Sequence, residues 1–250
     1  MRIKIGYMPD KKENLQDSIF FAKKHFDFIE LTVFPGKEKT LTSQPTINEL
    51  KNFCVLGHLH WNNNIANAII TNNFSRIFEE IDIFNQLRAK YITLHPSLPL
   101  ETKNKNFLEA NKKALKIIAA YSEKILVENS SEDPFCDIKN IEPILNDKIA
   151  GLTVDIGHLT KAGKDLNYVL KNSHFPIKHF HIHDVSVDDH SAFKKPEDLL
   201  KIINIIQKTK KDFSFILEIF KTSTGQDFSS INVRRQEILA SVKKIKSAYE

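Results

Sequence analysis

The sequence predicts an α/β protein, a (β/α)8 TIM barrel that forms one domain over residues 1–250. Short runs rich in β-branched and aromatic residues alternate with longer stretches in which apolar residues recur every three or four positions. This alternation is typical of parallel strands joined by helices. It recurs eight times along the chain, at a spacing of about 30 residues that suits a closed barrel. Polar residues able to bind a cation follow nearly all of the strand-like runs.

The predicted strands are short segments with the composition of buried β-structure. They cover residues 2–7, 27–33, 53–59, 90–95, 124–129, 150–155, 178–183 and 213–219. Helical periodicity is clearest in residues 74–87, 106–125, 196–210 and 229–250. Pro196, followed by two carboxylates, is typical of a first helical turn. An open doubly wound sheet is the structural alternative, but the glycine-rich fingerprints of its nucleotide-binding members do not occur in the sequence.

Composition and charge narrow the functional classes. No window approaches about 18 uncharged apolar residues, so we expect neither a membrane span nor a membrane partner. The N-terminal segment MRIKIGYMPD has the pattern of a strand, and two cysteines are too few for a disulfide framework, so we expect a cytoplasmic protein. The net charge of +5 comes mostly from scattered lysine pairs. Such a charge permits nucleic-acid binding without predicting it.

The ends of the predicted strands carry the candidate chemistry. In a barrel of parallel strands, the loops at the carboxyl ends build the active site. A polar side chain in mid-strand would face the packed interior and cost several kcal/mol unless it were paired. The polar residues at or near strand ends are Glu30, His58, His60, His95, Glu128, Asp155, His158, His181, His183 and Glu218. The alternative for Glu30 is a buried structural acid.

The spacing of the histidines places them in pairs. His58 and His60 lie two residues apart, as do His181 and His183, so each pair is expected on one face of its strand. His179 is two residues before His181 and is expected on the same face, deeper in the barrel. The histidine-rich strand suits a functional site, and the alternative is a hydrogen-bonded structural ladder.

The acidic residues follow apolar runs, where a carboxylate needs a cation or hydrogen-bond donors. Glu128 in ILVENS and Glu218 in FILEIF are the clearest cases. Asp155 and His158 are three residues apart in TVDIGH, where Gly157 eases the turn from strand to loop. Two side chains of ligand type can therefore converge at that point.

These segments, in this order, resemble the xylose isomerase-like TIM-barrel superfamily, which includes endonuclease IV enzymes and sugar-phosphate isomerases and epimerases. The resemblance runs from FIEL through LHPS, VENS, TVDIGHLTKAGKDL and HIHD to ILEIF, which is nearly the whole chain. It implies a divalent cation as cofactor (Mn, Zn, Mg or Co), with one ion favoured and as many as three allowed. It also implies a sugar or sugar phosphate as the small-molecule partner, and a homodimer is compatible with it.

The ketose epimerases of the superfamily hold one cation with Glu, Asp, His and Glu from the fifth to the eighth strand. The matching residues are Glu128, Asp155, His181 and Glu218. The resemblance implies an isomerase or epimerase in which Glu128 and Glu218 are the catalytic acid and base, transferring a proton through a metal-stabilised enediolate. The expected substrate-binding residues are Glu30, His60, Trp61 and His183.

The alternative implied by the resemblance is a zinc-dependent phosphodiesterase of the endonuclease IV type, acting at abasic sites in DNA. That branch holds three zinc ions with the same four residues and further ligands. The further matches, which could instead contact substrate, are His58, His95, His158, Asp188 and His190. The chain departs from that branch in reading HIHD where H-x-N-[DE] is usual, and in having Ile156–Gly157 where Thr-Cys or Ser-Cys precedes the histidine. A barrel that binds a ligand without catalysis is a minor alternative.

Overall fold

The parallel strands close into a barrel. The computed structural model describes residues 3–99, 106–209 and 211–249. Within these ranges eight strands pair in sequence order, and pairing of the last with the first completes the cylinder. They are β1 (Ile3–Tyr7), β2 (Phe28–Thr32), β3 (Cys54–His58), β4 (Ile92–Leu94), β5 (Ile125–Glu128), β6 (Gly151–Asp155), β7 (Ile177–Ile182) and β8 (Phe213–Leu217). The predicted (β/α)8 TIM barrel is confirmed.

Helices form the outer layer. They are α1 (Leu15–His25), α2 (Glu38–Leu41), α3 (Gln44–Leu50), α4 (Ile65–Thr71), α5 (Ser75–Gln86), α6 (Phe107–Tyr121), α7 (Ile138–Ile141), α8 (Ile156–Lys161), α9 (Leu166–Asn172), α10 (Pro196–Gln207) and α11 (Ile231–Tyr249). The four segments with the clearest periodicity form α5, α6, α10 and α11, each shorter than predicted. Arg2, Lys210 and Glu250, which the predicted elements include, lie outside the described residues. None of the described helices is long and apolar enough to cross a membrane.

Alternation along the strands separates two apolar regions. Outward-facing residues pack against the helices. The Tyr7 ring, for example, lies 5.0 Å from the ring of Phe21 in α1, measured between centroids. Inside the barrel, Met8, Phe28, Leu56 and Ile216 form a smaller apolar cluster. Phe28, Leu56 and Ile216 each precede a polar residue by two positions along the chain, so the polar side chains lie nearer the carboxyl ends of the strands.

An ionic cluster fastens the last helix to the first and last strands. Arg234, in α11, is 1% exposed and donates to the carbonyl oxygens of Met8 and Ile219, each at 2.7 Å. Its guanidinium also pairs with Glu13, which binds Arg235 at 2.7 Å as well. Ile219 directly follows Glu218, so this cluster fixes the backbone next to a predicted site residue.

Candidate metal centre

The carboxyl ends of β5 to β8 bring together Glu128, Asp155, His181 and Glu218, which we call the central group. Glu128 and Asp155 end their strands, and Glu218 directly follows β8. One ligand atom from each residue lies within 4.8 Å of the others, and all four residues are buried. Nδ1 of His181 lies 2.8 Å from Oε1 of Glu128 and 3.0 Å from Oε2 of Glu218. The four residues that the resemblance implies as cation ligands are therefore adjacent.

The central group fits a divalent cation. Nδ1 of His181 is buried and has no hydrogen-bond partner among the described residues, although two carboxylates lie beside it. Buried polar atoms are otherwise nearly always satisfied. Three carboxylates and one imidazole are ligand types common at zinc, manganese and magnesium sites. A cation held here would satisfy Nδ1 and offset the carboxylate charge.

The charges of the central group support the same interpretation. Burial opposes ionisation of Glu128, but the neighbouring histidines, His181 foremost, hold the pKa of its carboxyl well below the usual range. His181 likewise outweighs burial and lowers the pKa of Glu218. Burial alone would lower the pKa of His181, but the adjacent carboxylates, Glu128 foremost, raise it well above its ordinary value. A cation that binds here must therefore displace a proton from His181.

A second group adjoins the first through Glu128. Oε2 of Glu128 lies 3.1 Å from Nε2 of His58 and 3.3 Å from Nε2 of His95. Nδ1 of His58 lies 2.8 Å from the carbonyl oxygen of Leu59, which can only accept, so Nε2 is the nitrogen turned to the site. Burial lowers the pKa of His95 to about 4, so its ring is neutral at pH 7 and can bind a cation or a hydroxyl group.

A third group shares Asp155 with the first. It consists of Asp155, His158, His183 and His190, whose ligand atoms lie within 4.8 Å of one another. The Asp155 side chain caps α8 by accepting the backbone N–H of His158 at 2.6 Å. His190 stacks on His183 with ring centroids 4.3 Å apart, and its backbone has φ of 56°, in the left-handed region. Non-glycine residues adopt this region rarely, and functional sites are one place where they do.

The loop after β7 places Asp189, rather than Asp188, beside the histidines. The sequence suggests Asp188 as a further ligand, but its carboxylate pairs with Lys221 and joins no ligand group among the described residues. Oδ1 of Asp189 lies 3.6 Å from Nδ1 of His183 and is buried without a hydrogen bond. A loop has no periodicity from which side-chain direction could be predicted, so the two aspartates are indistinguishable in the sequence.

Glu30 lies below the site rather than in its wall. It occupies the middle of β2 and is fully buried, where it accepts hydrogen bonds from His179 and His181. The strand-end placement suggested by the sequence is therefore not observed. A buried mid-strand carboxylate needs hydrogen-bond donors. Its donors, His179 and His181, are 149 and 151 positions away in the sequence.

His60 and Trp61 occupy different environments. β3 ends at His58, so the strand alternation on which the predicted pairing of His58 and His60 depends does not extend to His60. The His60 ring instead stacks on Trp61, with centroids 4.1 Å apart. Trp61 is 54% exposed and lines the pocket above the central group.

The pocket above the central group has a volume of about 320 Å³. Its walls include Phe34, His58, Trp61, His95, His158 and Phe220. A neighbouring cavity of about 630 Å³ shares several of these walls and extends to the start of α11. Aromatic walls with a few convergent polar groups are typical of small-molecule sites.

Asn129 is a site residue that the sequence alone does not single out. It is fully buried, and its side chain binds the backbone N–H and carbonyl of Asp155 at 2.8 and 3.0 Å. Its own carbonyl oxygen lies 3.0 Å from Nδ1 of His158. Asn129 thereby positions two residues of the third group. Its place directly after Glu128 in VENS was the available signal.

Known proteins share this fold. A family model described as xylose isomerase-like TIM barrel matches residues 21–246. No curated protein matches the chain in sequence.

Among solved structures, 3-keto-D-glucoside 4-epimerase from E. coli has a TM-score of 0.72 and 14% identity, covering 98% of this chain and 100% of its own. D-psicose 3-epimerase from Clostridium cellulolyticum has a TM-score of 0.74 and 12% identity, covering 99% of each chain. Endonuclease IV from Thermus thermophilus has a TM-score of 0.63 and 13% identity, covering 98% of each chain. At these identities the likeness extends to the fold.

Proposed function

Since the chain belongs to the xylose isomerase-like TIM-barrel family, we propose that it is a divalent-metal-dependent isomerase or epimerase of a sugar or sugar phosphate. The observation that carries this proposal is the approach of two carboxylates, Glu128 and Glu218, to the unpartnered nitrogen of His181 at the floor of the pocket. Proton transfer at a carbon next to a carbonyl group needs one group to remove the proton and one to return it. This pair supplies both beside a cation site.

Each side chain of the pocket has a separate role in the proposed reaction. A divalent cation held by the central group would supply Lewis-acid polarisation of the hydroxyl and carbonyl oxygens of the sugar. Glu128 or Glu218, as the carboxylate, removes the proton from the carbon next to the carbonyl. The other carboxylate takes up a proton from water and returns it to carbon. His58, His95 and His158, on the pocket wall, donate to or accept from sugar hydroxyl groups. Trp61 and the other aromatic walls keep water away from the reacting carbon.

Charges around the mouth favour a small substrate over a DNA duplex. Several mouth lysines are paired with carboxylates on neighbouring loops: Lys12 with Asp227, Lys161 with Asp189, Lys164 with Asp137 and Lys221 with Asp188. Duplex binding depends on neutralising many phosphates with free basic side chains. Pairing at the mouth reduces the positive field available for this purpose.

A zinc-dependent phosphodiesterase acting at abasic sites is the second candidate. The observation that favours it is the presence of further ligand groups beside the central group, of which one shares Glu128 with it and another shares Asp155. Three adjacent cations would activate water and stabilise both the phosphoryl oxygens and the leaving group. The number of bound cations therefore separates the two candidates.

The test combines cation content with turnover. We expect one tightly bound cation per chain and proton exchange or isomerisation with a panel of ketoses and ketose phosphates. Glu128→Gln and Glu218→Gln should each lower kcat by about 10²–10⁴-fold, because neither amide can accept a proton. The exposed Glu79→Gln serves as the matched control and should retain full activity.

Folding of each variant is checked by circular dichroism, and cation content by elemental analysis. Normal turnover in a cation-replete Glu128→Gln or Glu218→Gln protein would contradict the proposal. Three cations per chain, together with cleavage of an abasic-site duplex, would establish the second candidate instead. Sugar binding without turnover in the cation-loaded protein would identify a non-catalytic barrel.

A further inference from the structure

Three histidines of β7 and its end face the barrel interior. His179, His181 and His183 occupy alternate positions, and each is at most 2% exposed. An imidazole binds a cation through a nitrogen that can give up its proton to the solvent and that has no other hydrogen bond. The partners of each ring nitrogen therefore determine which histidine is available as a ligand.

Both nitrogens of His183 are engaged. The backbone N–H of His190 lies 3.1 Å from Nδ1 and can only donate, whereas the Asp184 carbonyl oxygen is farther away, at 3.4 Å. Nδ1 therefore accepts from His190, and Nε2 carries the proton. Nε2 donates to the Asp155 carboxylate at 3.1 Å. The ring is held in place by Gly157, where an added Cβ would lie 2.1 Å from Cε1 of His183. His183 thus holds Asp155 and has no lone pair left for a cation.

Glu30 forms hydrogen bonds with both of the other histidines, His179 and His181. Its Oε2 lies 2.8 Å from Nε2 of His179, and its Oε1 lies 3.2 Å from Nε2 of His181. An ionised carboxylate only accepts, so both Nε2 atoms carry protons. Nδ1 of His179 is engaged with the Ser214 hydroxyl at 2.9 Å. Nδ1 of His181 alone remains without a hydrogen bond, among the carboxylates of the central group.

We infer that Glu30, His179 and His183 are positioning residues, which orient the expected cation ligands His181 and Asp155 without binding the cation themselves. Glu30 keeps Nε2 of His181 protonated and so leaves Nδ1 for the cation, while His179 holds Glu30 in place. His183 fixes the orientation of Asp155. This inference rests on the cation site of the proposed function, and it is independent of the reaction. It differs from the sequence-based expectation that Glu30 and His183 contact substrate.

Glu30→Gln tests the contacts of Glu30 with His179 and His181. A glutamine presents an NH2 donor to one of two imidazoles that each need an acceptor, so His179 or His181 must change its protonation or orientation. The full chain is stripped with a chelator and titrated with Zn²⁺ against a chromophoric competitor. We expect the Zn²⁺ affinity to fall about 10–100-fold. Circular dichroism checks that the fold is retained.

Thr153→Val is the matched control. It removes a buried hydrogen bond of 2.8 Å to Thr93 in the same barrel interior, at a position that contacts none of the proposed ligands through its hydroxyl. Its Zn²⁺ affinity should equal that of the wild type. Wild-type affinity in Glu30→Gln, or an equal loss in Thr153→Val, would overturn the inference for Glu30.

His183→Phe and His183→Gln test the contact between His183 and Asp155. Phenylalanine keeps a ring but forms no hydrogen bond, whereas glutamine offers an acceptor for the His190 N–H and a donor for Asp155. We expect Phe to weaken Zn²⁺ binding about tenfold without changing the number of ions per chain, and Gln to restore most of the affinity. Loss of one ion in His183→Phe, unchanged affinity in that variant, or no recovery in His183→Gln would overturn the assignment. Because Zn²⁺ binding is the readout, a failure of sugar turnover does not affect this result.

Discussion

Two adjacent aspartates differ at the scale of single side chains. Asp188 is partly exposed and neutralised by Lys221, whereas Oδ1 of Asp189 is buried near His183 and His190 without a hydrogen bond. A buried carboxylate oxygen without a donor is unfavourable unless a cation or a ligand satisfies it. Asp189 is therefore the residue of this loop that is poised to interact with a bound ion or substrate.

Asp189→Asn and Asp188→Asn form a matched pair that tests this difference. We expect Asp189→Asn to lower Zn²⁺ affinity or raise the KM for sugar by about tenfold, because the charge beside the histidines is removed. Asp188→Asn loses a partly exposed ion pair and should stay within about twofold of the wild type. Titration calorimetry with Zn²⁺ and steady-state kinetics measure both effects. A larger loss in Asp188→Asn would reverse the assignment.

The sequence predicted the residues that follow regular strands better than those on irregular segments. Glu128, Asp155 and Glu218 are placed by apolar runs, whose direction in a barrel is fixed, so their convergence could be expected. Asp189 lies on a loop, and its orientation depends on backbone hydrogen bonds that leave no pattern in the sequence. The contacts of Glu30 could not be predicted for another reason: its partners on β7 become neighbours only when the barrel closes.

Gly157 illustrates how an element adapts to the site. It lies in the first turn of α8, where alanine would favour the helix by about 1 kcal/mol. A Cβ at this position would, however, lie 2.1 Å from the His183 ring. We therefore expect Gly157→Ala to displace His183 and weaken Zn²⁺ binding, with a net loss of stability despite the better helix propensity.

Zn²⁺ titration and urea unfolding measure the two effects of Gly157→Ala. Gly163→Ala is a useful comparison, because Gly163 has open space around it, although its φ of 67° also disfavours alanine. Both variants can lose stability, but only Gly157→Ala should change cation affinity. Equal Zn²⁺ affinities in the two variants would contradict the role of Gly157.

The attachment of α11 depends on Glu13. Replacing Glu13 with Gln leaves Arg234 buried without a counter-charge, so we expect a loss of about 3–5 kcal/mol in the free energy of unfolding. Burial raises the pKa of Glu13, but Arg234 outweighs it and the net pKa is lowered. The carboxylate thus stabilises the fold above its unfolded pKa of about 4.3 and loses this contribution as the pH falls towards the folded value.

Urea unfolding at several pH values measures this dependence. Between about pH 6 and pH 3 the wild type should lose more stability than Glu13→Gln, because only the wild type can protonate this group. The exposed Glu79→Gln should follow the wild-type profile. Parallel profiles for the wild type and Glu13→Gln would show that Glu13 does not carry this linkage.

The whole barrel closes around a concentration of buried charge. Glu30, Glu128, Asp155 and Glu218 each have a lowered pKa because histidines surround them, so all four are ionised at neutral pH. Three of these carboxylates belong to the central group and repel one another when no cation is present. A cation that binds only the folded chain must therefore stabilise the whole molecule, as any ligand of the native state does.

Thermal unfolding with and without a chelator tests this coupling. At a free Zn²⁺ concentration about 100 times the Kd, binding to the native state adds about 2.7 kcal/mol to the free energy of unfolding. For a chain of this size, that raises Tm by roughly 5–10 °C. Glu218→Gln removes one of the three carboxylates and should reduce the Zn²⁺-induced rise, while Thr153→Val should lower Tm equally in both conditions. An unchanged Tm on chelation of a cation-loaded protein would mean that the central group holds its charges without an ion. The cation site of the proposed function would then be refuted, whatever reaction the protein performs.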